Sequence, residues 1–418
     1  MRKYLRLLGP LAVGSLLSAL VVEIISGCLP IKASDREQPL YVQGVPVVRV
    51  KLTASPIQSA SLAATSGYRL KIDGRTFSSS GGALRPTDVT RLGDVWRIGA
   101  ASAPGGLLEL EPYQGGYASI GNVTYRGSLR LIAVDGDSFI VVNHVDMESY
   151  LAGVLPRELY PSWSPVTYRA LAVAARTFAL YHVKFTGPGR DFDLGAGEAS
   201  QVYGGFSAET TKAWNAVRDT HGKVMIVKDG AHERLFMTQY SACCGGVVNG
   251  AYVIRNVPMV EPFMGGQRCD DCMSCPHYRW DTVTASKAEI CSAITAAYPR
   301  TAADLSGGLA SIRVAESTSY GRAVWLDVRS VNGGLVRLRA EDLRLAMQRT
   351  QTPAGRSLYS MNCSINDAGG AIEFRGGRGY GHGVGLCQWG AEGKAKRGWS
   401  AGQILSFYYP GVVLMSMY

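Results

Sequence analysis

Residues 165–182 have the sequence PVTYRALAVAARTFALYH, and this stretch is the clearest secondary-structure signal in the chain. A proline stands at its start, many alanines favour helix formation, and apolar residues recur at steps of three and four (Leu171, Ala174, Phe178 and Tyr181). We therefore predict a closely packed helix over Pro165–His182. Arg169 and Arg176 are seven positions apart, so they share one face of this helix.

Before this helix the chain alternates between short apolar runs and turn residues. The predicted strands are Val45–Leu52, Tyr68–Ile72, Val95–Ile98, Leu107–Leu110, Leu129–Ala133 and Phe139–Asn143. Dipeptides such as Asp73-Gly74 and Asp135-Gly136 separate them, which favours an antiparallel arrangement.

After the helix, both kinds of element alternate. The predicted helices are Ala285–Tyr298, Ala340–Arg349 and Ala401–Tyr409, and the predicted strands are Ser311–Ala315, Ala323–Val328 and Leu335–Leu338. We therefore predict an α+β fold: a β-rich N-terminal region at 45–142, then a mixed α/β body at 143–418. Residues 250–365 are expected to form a second lobe that flanks a cleft.

The N-terminal residues predict export. Three cations (Arg2, Lys3 and Arg6) precede an uncharged run from Leu7 to Val22, whose 16 residues are too few to span a bilayer. Small residues then lead to Cys28, as in the lipobox of a bacterial lipoprotein, although Glu23 is unusual there. We predict a signal peptide at 1–27, lipidation of Cys28, a tether at 28–44, and an exported, membrane-anchored protein facing the periplasm or cell wall. An ordinary cleaved signal or an uncleaved anchor is the alternative.

The net charge of +10 favours partners that carry carboxylates. Nucleic acid is not expected, because the leader exports the chain and no long basic run, zinc finger or helix-turn-helix pattern is present.

Eight cysteines follow Cys28, and an even number in an exported chain favours disulfides. The spacing of Cys269, Cys272 and Cys275, with His277 close behind, is also that of metal ligands, so a structural zinc site is the alternative.

Two further segments carry polar residues in unusual settings. The segment 147–159 places Glu148 and Glu158 ten residues apart, just before the alanine-rich helix. Between Gly377 and Gly385 every second residue is glycine, so an extended backbone would have one bare face against which another strand or a polymeric ligand could lie. His382 lies between two of these glycines, so it is not expected to be a core histidine.

Five ordered blocks of the sequence resemble the SpoIID/LytB family, whose members are stage II sporulation protein D and amidase enhancers. The blocks are residues 150–158, 169–179, 201–205, 240–246 and 379–391, followed by Ile404-Leu405 and 408–411. The resemblance as a whole extends over most of the chain, from about Val45 to Val413, and is looser from Gly250 to about Ala310. The resemblance implies a lytic transglycosylase that cleaves peptidoglycan glycan strands stripped of stem peptides. It makes 143–418 the catalytic domain and Glu158 the single acid/base.

The resemblance also implies roles for other residues. Glu158 would need a pKa raised by an apolar pocket, for which Leu155, Leu159 and Trp163 are candidates. Arg169, Arg176 and Tyr240 match positions that bind and orient the substrate, and His382 and Gln388 are further cleft candidates. No cofactor is expected for catalysis.

The chain departs from the family pattern at two positions. Some members bind zinc through a histidine and cysteines, but the matching histidine is Ser241 here, and Cys387 replaces a serine. The alternative function is that of a wall-binding protein that enhances a peptidoglycan amidase without cutting glycan.

Overall fold

The computed structural model describes residues 22–23, 41, 43–198, 200–229, 232–255, 257 and 261–418. The predicted signal peptide, Cys28 and the tether lie almost wholly outside the described residues. Within the described ranges no helix combines the length and the apolar character needed to cross a membrane.

Eight α-helices occur among the described residues. They are α1 (Met147–Glu158), α2 (Pro165–Tyr181), α3 (Thr211–Asp219), α4 (Lys287–Ala297), α5 (Ala340–Arg349), α6 (Pro353–Ser357), α7 (Gln388–Lys396) and α8 (Ala401–Tyr408). Helix α2 matches the prediction to within one residue. It begins with an N-cap at Ser164, whose hydroxyl accepts a hydrogen bond from the Val166 N–H, followed by a proline at the first helical position.

Two large sheets form the N-terminal region. In spatial order, the seven-stranded sheet contains Leu194–Gly195, Val47–Lys51, Phe139–Asp146, Ser128–Ala133, Leu107–Pro112, Tyr68–Ile72 and Arg75–Ser80. The six-stranded sheet contains Val123–Tyr125, Ala118–Ile120, Ser59–Ala64, Leu84–Leu92, Val95–Ile98 and Ala101–Pro104. Apart from the parallel pairing of Leu194–Gly195, both sheets are antiparallel, as the turn signals predicted.

Smaller sheets connect distant parts of the remaining chain. Lys223–Asp229 pairs with both His232–Leu235 and Val412–Ser416, and Ala371–Arg375 pairs with both Val283–Ser286 and Ser364–Asp367. Tyr240–Ser241 pairs with Leu386–Cys387, and Arg279–Trp280 pairs with Gly377–Arg378. A four-stranded sheet has the spatial order Val22–Glu23, Leu335–Arg339, Ala323–Ser330 and Leu309–Ser317. The α+β class predicted from the sequence is therefore confirmed.

The buried apolar residues form two clusters. The larger joins the N-terminal sheets to α1, α2 and the C-terminal helices, while the smaller runs from Val283 to Phe374. The smaller core differs from the lobe predicted at 250–365, because Ala251, Val253 and Phe263 pack into the larger core. The paired strands at Arg279–Trp280 and Gly377–Arg378 are the points at which the chain leaves and re-enters the larger body.

The glycine-rich segment is not an extended strand, so that prediction was wrong. Gly379, Gly381, Gly383 and Gly385 all have positive φ, between 68° and 91°. Such angles lie outside the range of an extended strand and are accessible mainly to glycine. The segment instead winds along residues 239–249 of the same chain, with bridges between Cys243 and Tyr380 and between Asn249 and Val384.

Candidate functional site

Glu158 is the last residue of α1, and its carboxylate is held by two neighbouring segments. Its Oε1 accepts a hydrogen bond of 3.0 Å from the Val202 backbone N–H. Its Oε2 accepts one of 3.1 Å from Nε2 of Gln388, the first residue of α7. Three blocks far apart in sequence therefore meet at a single carboxylate.

Burial raises the pKa of Glu158, while the hydrogen bonds from Val202 and Gln388 partly oppose this rise by stabilising the charged form. The Tyr240 side chain also lowers the pKa of Glu158, by less than either of those two hydrogen bonds. A carboxyl group whose pKa is shifted towards neutrality retains a proton at higher pH than an ordinary glutamate, which suits it to donating that proton.

A chain of buried polar groups supports Tyr240. Gln201 donates from Nε2 to the Tyr240 hydroxyl at 3.0 Å and accepts at Oε1 from the Tyr150 hydroxyl at 2.9 Å. Each of these groups therefore has a partner away from solvent, which fixes the position of the Tyr240 ring beside Glu158.

A cleft of ≈ 1210 Å³ runs past Glu158. Its lining includes residues of α1, α7 and the segment 237–242, and also Glu341 and Arg344 of α5, a helix of the smaller core. The acidic groups of α5 are neutralised, because Arg344 pairs with Glu341 and Arg255 pairs with Asp342.

Two groups of aromatic side chains flank the cleft. Tyr160 packs against Trp163 and Trp389 with ring centroids 5.1 and 5.6 Å away. Elsewhere in the lining, Tyr380 contacts His277, with ring centroids 5.4 Å apart. Tyr160 is 54% exposed and Tyr380 is 37% exposed, so both present flat, partly apolar surfaces to a ligand in the cleft.

The two arginines predicted to bind substrate do not line the cleft, which corrects that prediction. They do share one face of α2, as predicted, but this face packs towards α3: Arg169 pairs with Asp219 at 2.9 Å, and Arg176 reaches the Val217 carbonyl. Arg176 is fully buried and forms a two-pronged ion pair with Glu148, so it has no access to a ligand.

The other predicted cleft residues line the cleft: Glu158, Tyr240, His382 and Gln388. His382 is half-buried, and its Nδ1 accepts a hydrogen bond of 3.0 Å from the Val384 N–H. Burial lowers the pKa of His382 to about 4, so the ring is neutral at physiological pH. Leu159 and Trp163 contribute apolar surface to the cleft as expected, whereas Leu155 is buried without lining it.

Three carboxylates that line the cleft were not predicted from the sequence: Glu341 and Asp342, which pair with arginines, and Glu198. Glu198 is exposed, lines the cleft and contributes a like charge that raises the pKa of Glu158. It lies in a loop between the short strand Leu194–Gly195 and the 201–205 block, and no spacing pattern singled it out.

The predicted disulfides are absent among the described cysteines, all eight of which are free. Four of them (Cys244, Cys269, Cys272 and Cys387) are fully buried, and their sulfurs lie within 4.8 Å of one another, a donor set suited to one metal ion. Cys275, which the spacing suggested as a ligand, is not part of this group.

Comparison with known proteins places these features in a family. The family model of SpoIID, the stage II sporulation protein, matches residues 135–226, which include α1, α2 and Val202. An uncharacterized protein of Brachyspira hyodysenteriae is 32% identical over 296 residues, covering 70% of this chain and 73% of that protein. The chain belongs to the SpoIID/LytB family.

Two Bacillus subtilis relatives of this SpoIID/LytB chain have descriptive names. The stage II sporulation protein D is 26% identical over 311 residues, covering 70% of this chain and 81% of the relative. The amidase enhancer is 28% identical over 298 residues, covering 64% of this chain but only 40% of the relative. This membership supports a role connected with the cell wall.

Proposed function

We propose that this protein is a lytic transglycosylase that cleaves peptidoglycan glycan strands, with those stripped of stem peptides as its expected substrate. The observation that carries the proposal is the setting of Glu158: a carboxyl group with a raised pKa, held by Val202 and Gln388 in a cleft of ≈ 1210 Å³ whose lining includes aromatic rings. A cleft of this form accommodates a polymer, and exposed aromatic faces suit sugar rings.

The reaction uses one carboxyl group twice. Protonated Glu158 donates its proton to the glycosidic oxygen as the bond from that oxygen to the sugar C1 breaks. The sugar's own 6-hydroxyl then attacks C1, and the Glu158 carboxylate accepts the hydroxyl proton. The products are a new chain end with a free hydroxyl and a 1,6-anhydro sugar, and Glu158 is protonated again.

Glu198 makes a hydrolytic alternative testable. Glycosidases that use water require two carboxylates, one on each side of the scissile bond. The exposed Glu198 is the group in this cleft that would complete such a pair. The 6-hydroxyl replaces that second group in the lytic reaction, so the lytic proposal assigns Glu198 no role in bond cleavage.

The decisive experiment incubates purified protein with denuded glycan strands and identifies the new chain ends by mass spectrometry. We expect 1,6-anhydro ends from the wild type, their loss by about 100-fold or more in Glu158→Gln, and their retention in Glu198→Gln. Reducing ends without anhydro sugars, or equal loss in both variants, would favour a two-carboxylate hydrolase. Wild-type cleavage by Glu158→Gln would refute the role of Glu158.

The second candidate is a non-catalytic enhancer of a wall amidase, which the name of the Bacillus subtilis amidase enhancer favours. In that case the cleft holds glycan without cutting it. Binding of denuded glycan with no new chain ends, together with faster stem-peptide release by an added amidase, would support the enhancer over the enzyme.

We also propose that the mature protein is attached to a membrane through acylated Cys28, since Cys28 follows a lipobox-like sequence. Metabolic labelling with a fatty acid should mark the wild type and not Cys28→Ala. Equal labelling of both would exclude this anchor.

A further inference from the structure

Four cysteines from three separate segments meet next to the strands that carry Tyr240 and Gln388. Cys244 lies on the loop after Tyr240–Ser241, Cys269 and Cys272 come from the loop before the smaller core, and Cys387 ends the Leu386–Cys387 strand. All four are fully buried. We propose that these cysteines bind a single structural zinc ion as four thiolates.

The spacing of the sulfurs fits one tetrahedral ion. With zinc–sulfur bonds of about 2.3 Å, the sulfurs of a tetrahedral site lie about 3.8 Å apart. The Cys244 and Cys272 sulfurs are 3.7 Å apart, and the largest separation within the group is below 4.8 Å. Four sulfurs this close leave room for one ion between them and not for a larger iron–sulfur cluster.

The surroundings of the sulfurs are those of bound thiolates. The Cys387 sulfur accepts hydrogen bonds of 3.3 Å from the backbone N–H groups of Cys244 and Gly390. The Tyr408 hydroxyl lies 3.0 Å from the Cys269 sulfur. Such donors stabilise the negative charge that four thiolates retain around a divalent ion, as outer partners do in known metal sites.

A glycine makes the approach of α7 to the cluster possible. A Cβ at Gly390 would collide with both the Cys269 sulfur and the Tyr408 hydroxyl. The start of α7 is therefore shaped around the sulfurs, and the proximity of its N-terminus to Cys387 favours the thiolate form further.

The metal would connect the cluster to the cleft. Cys387 directly precedes Gln388, which donates to Glu158, and Cys244 lies four residues after Tyr240. The strands Tyr240–Ser241 and Leu386–Cys387 pair in parallel, so one ion bound to both connecting segments holds these two cleft residues in register. Its role is positional: neither sulfur nor metal lines the cleft.

The test measures the metal content of full-length protein, purified without chelator, by inductively coupled plasma mass spectrometry. We expect about one zinc ion per chain in the wild type and its loss in Cys387→Ser. Serine is a good N-cap residue, so this change removes a ligand while preserving the start of α7. Cys275→Ser is the matched control from the same cysteine-rich loop and should retain the zinc.

Two further measurements keep the result clear if Cys387→Ser is poorly folded. Cobalt substituted into wild-type protein should give the thiolate-to-metal charge-transfer bands of a tetrahedral sulfur site, and those bands should persist in Cys275→Ser. Thiol counting in denaturant should find all eight cysteines that follow Cys28 reduced. Iron in place of zinc, absence of metal with disulfides among these four cysteines, or zinc retained in Cys387→Ser would each overturn the proposal.

Discussion

Replacement of Arg176 by methionine tests whether this arginine supports the fold or the substrate. Its Nε and Nη2 donate to the two carboxylate oxygens of Glu148 at 2.9 and 2.6 Å, and its Nη1 donates to the Lys223 carbonyl at 3.1 Å. In Arg176→Met the donors to the Glu148 carboxylate that remain among the described residues are the Tyr418 hydroxyl and the Gly222 N–H. The carboxylate becomes a buried charge that has lost its counter-charge.

The size of the effect follows from burial. The Arg176 side chain is 0% exposed and that of Glu148 is 8% exposed, so the loss of one partner should lower the free energy of unfolding by about 3–5 kcal/mol. Arg169→Met breaks the more exposed pair with Asp219 and should cost about 0–1 kcal/mol. The double variant Arg176→Met/Glu148→Leu removes both charges, so it should cost far less than the sum of the two single changes.

Urea unfolding followed by tryptophan fluorescence measures these differences, and binding of denuded glycan is measured alongside. We expect a large loss of stability for Arg176→Met, with glycan affinity unchanged under conditions in which the variant remains folded. A stability change below about 1 kcal/mol, well short of that expected for a buried pair, together with weakened glycan binding, would refute it. Arg176 would then be a substrate ligand, as the family resemblance suggested.

Other predictions concern the cleft. Gln388→Met removes a hydrogen-bond donor to the Glu158 carboxylate, so the pKa of Glu158 should rise further. The alkaline limb of the pH profile of kcat/KM should therefore move to higher pH. An alkaline limb at the wild-type position would contradict this prediction. Because the pKa of Glu158 is raised in the folded state, its contribution to stability is present at low pH and lost as pH rises through that pKa. Urea titrations should therefore show Glu158→Gln more stable relative to wild type at about pH 8 than at about pH 4, and a pH-independent difference would argue against a raised pKa. Gly385→Ala should lower the free energy of unfolding by more than the roughly 1–2 kcal/mol that a left-handed alanine costs, because its Cβ would collide with the Gln239 carbonyl. Gly376→Ala is the control, since Gly376 also has a positive φ but has open space around the added Cβ. Equal costs for the two variants would contradict the close contact between Gly385 and the Gln239 carbonyl.

Much of the candidate site was predictable from local sequence blocks. Glu158, Tyr240, His382 and Gln388 were each selected by resemblance, and all four line one cleft. Their mutual geometry was not predictable, since the hydrogen bond between Glu158 and Gln388 joins residues 230 positions apart. Local patterns do not report which distant side chains face each other.

The errors have a common physical cause. Arg169 and Arg176 were placed on one helical face correctly, but the sequence did not say whether that face meets the cleft or α3. Glu148 was passed over because a glutamate near a helix start is common, and its role depends on a partner 28 residues away. Cys244 and Cys387 escaped the spacing argument because metal-ligand motifs detect only ligands that are near in sequence.

The sequence by itself determined the class of fold and several of its elements. Periodicity places α2 to within one residue, and turn residues separate the N-terminal strands, because both signals depend on interactions within a few positions of the chain. Tertiary structure alone decided that the glycine-rich segment coils rather than extends, that Arg176 is buried, and that four scattered cysteines converge. These outcomes depend on packing between segments that are not neighbours in sequence, where the burial of one group is set by the shape of another.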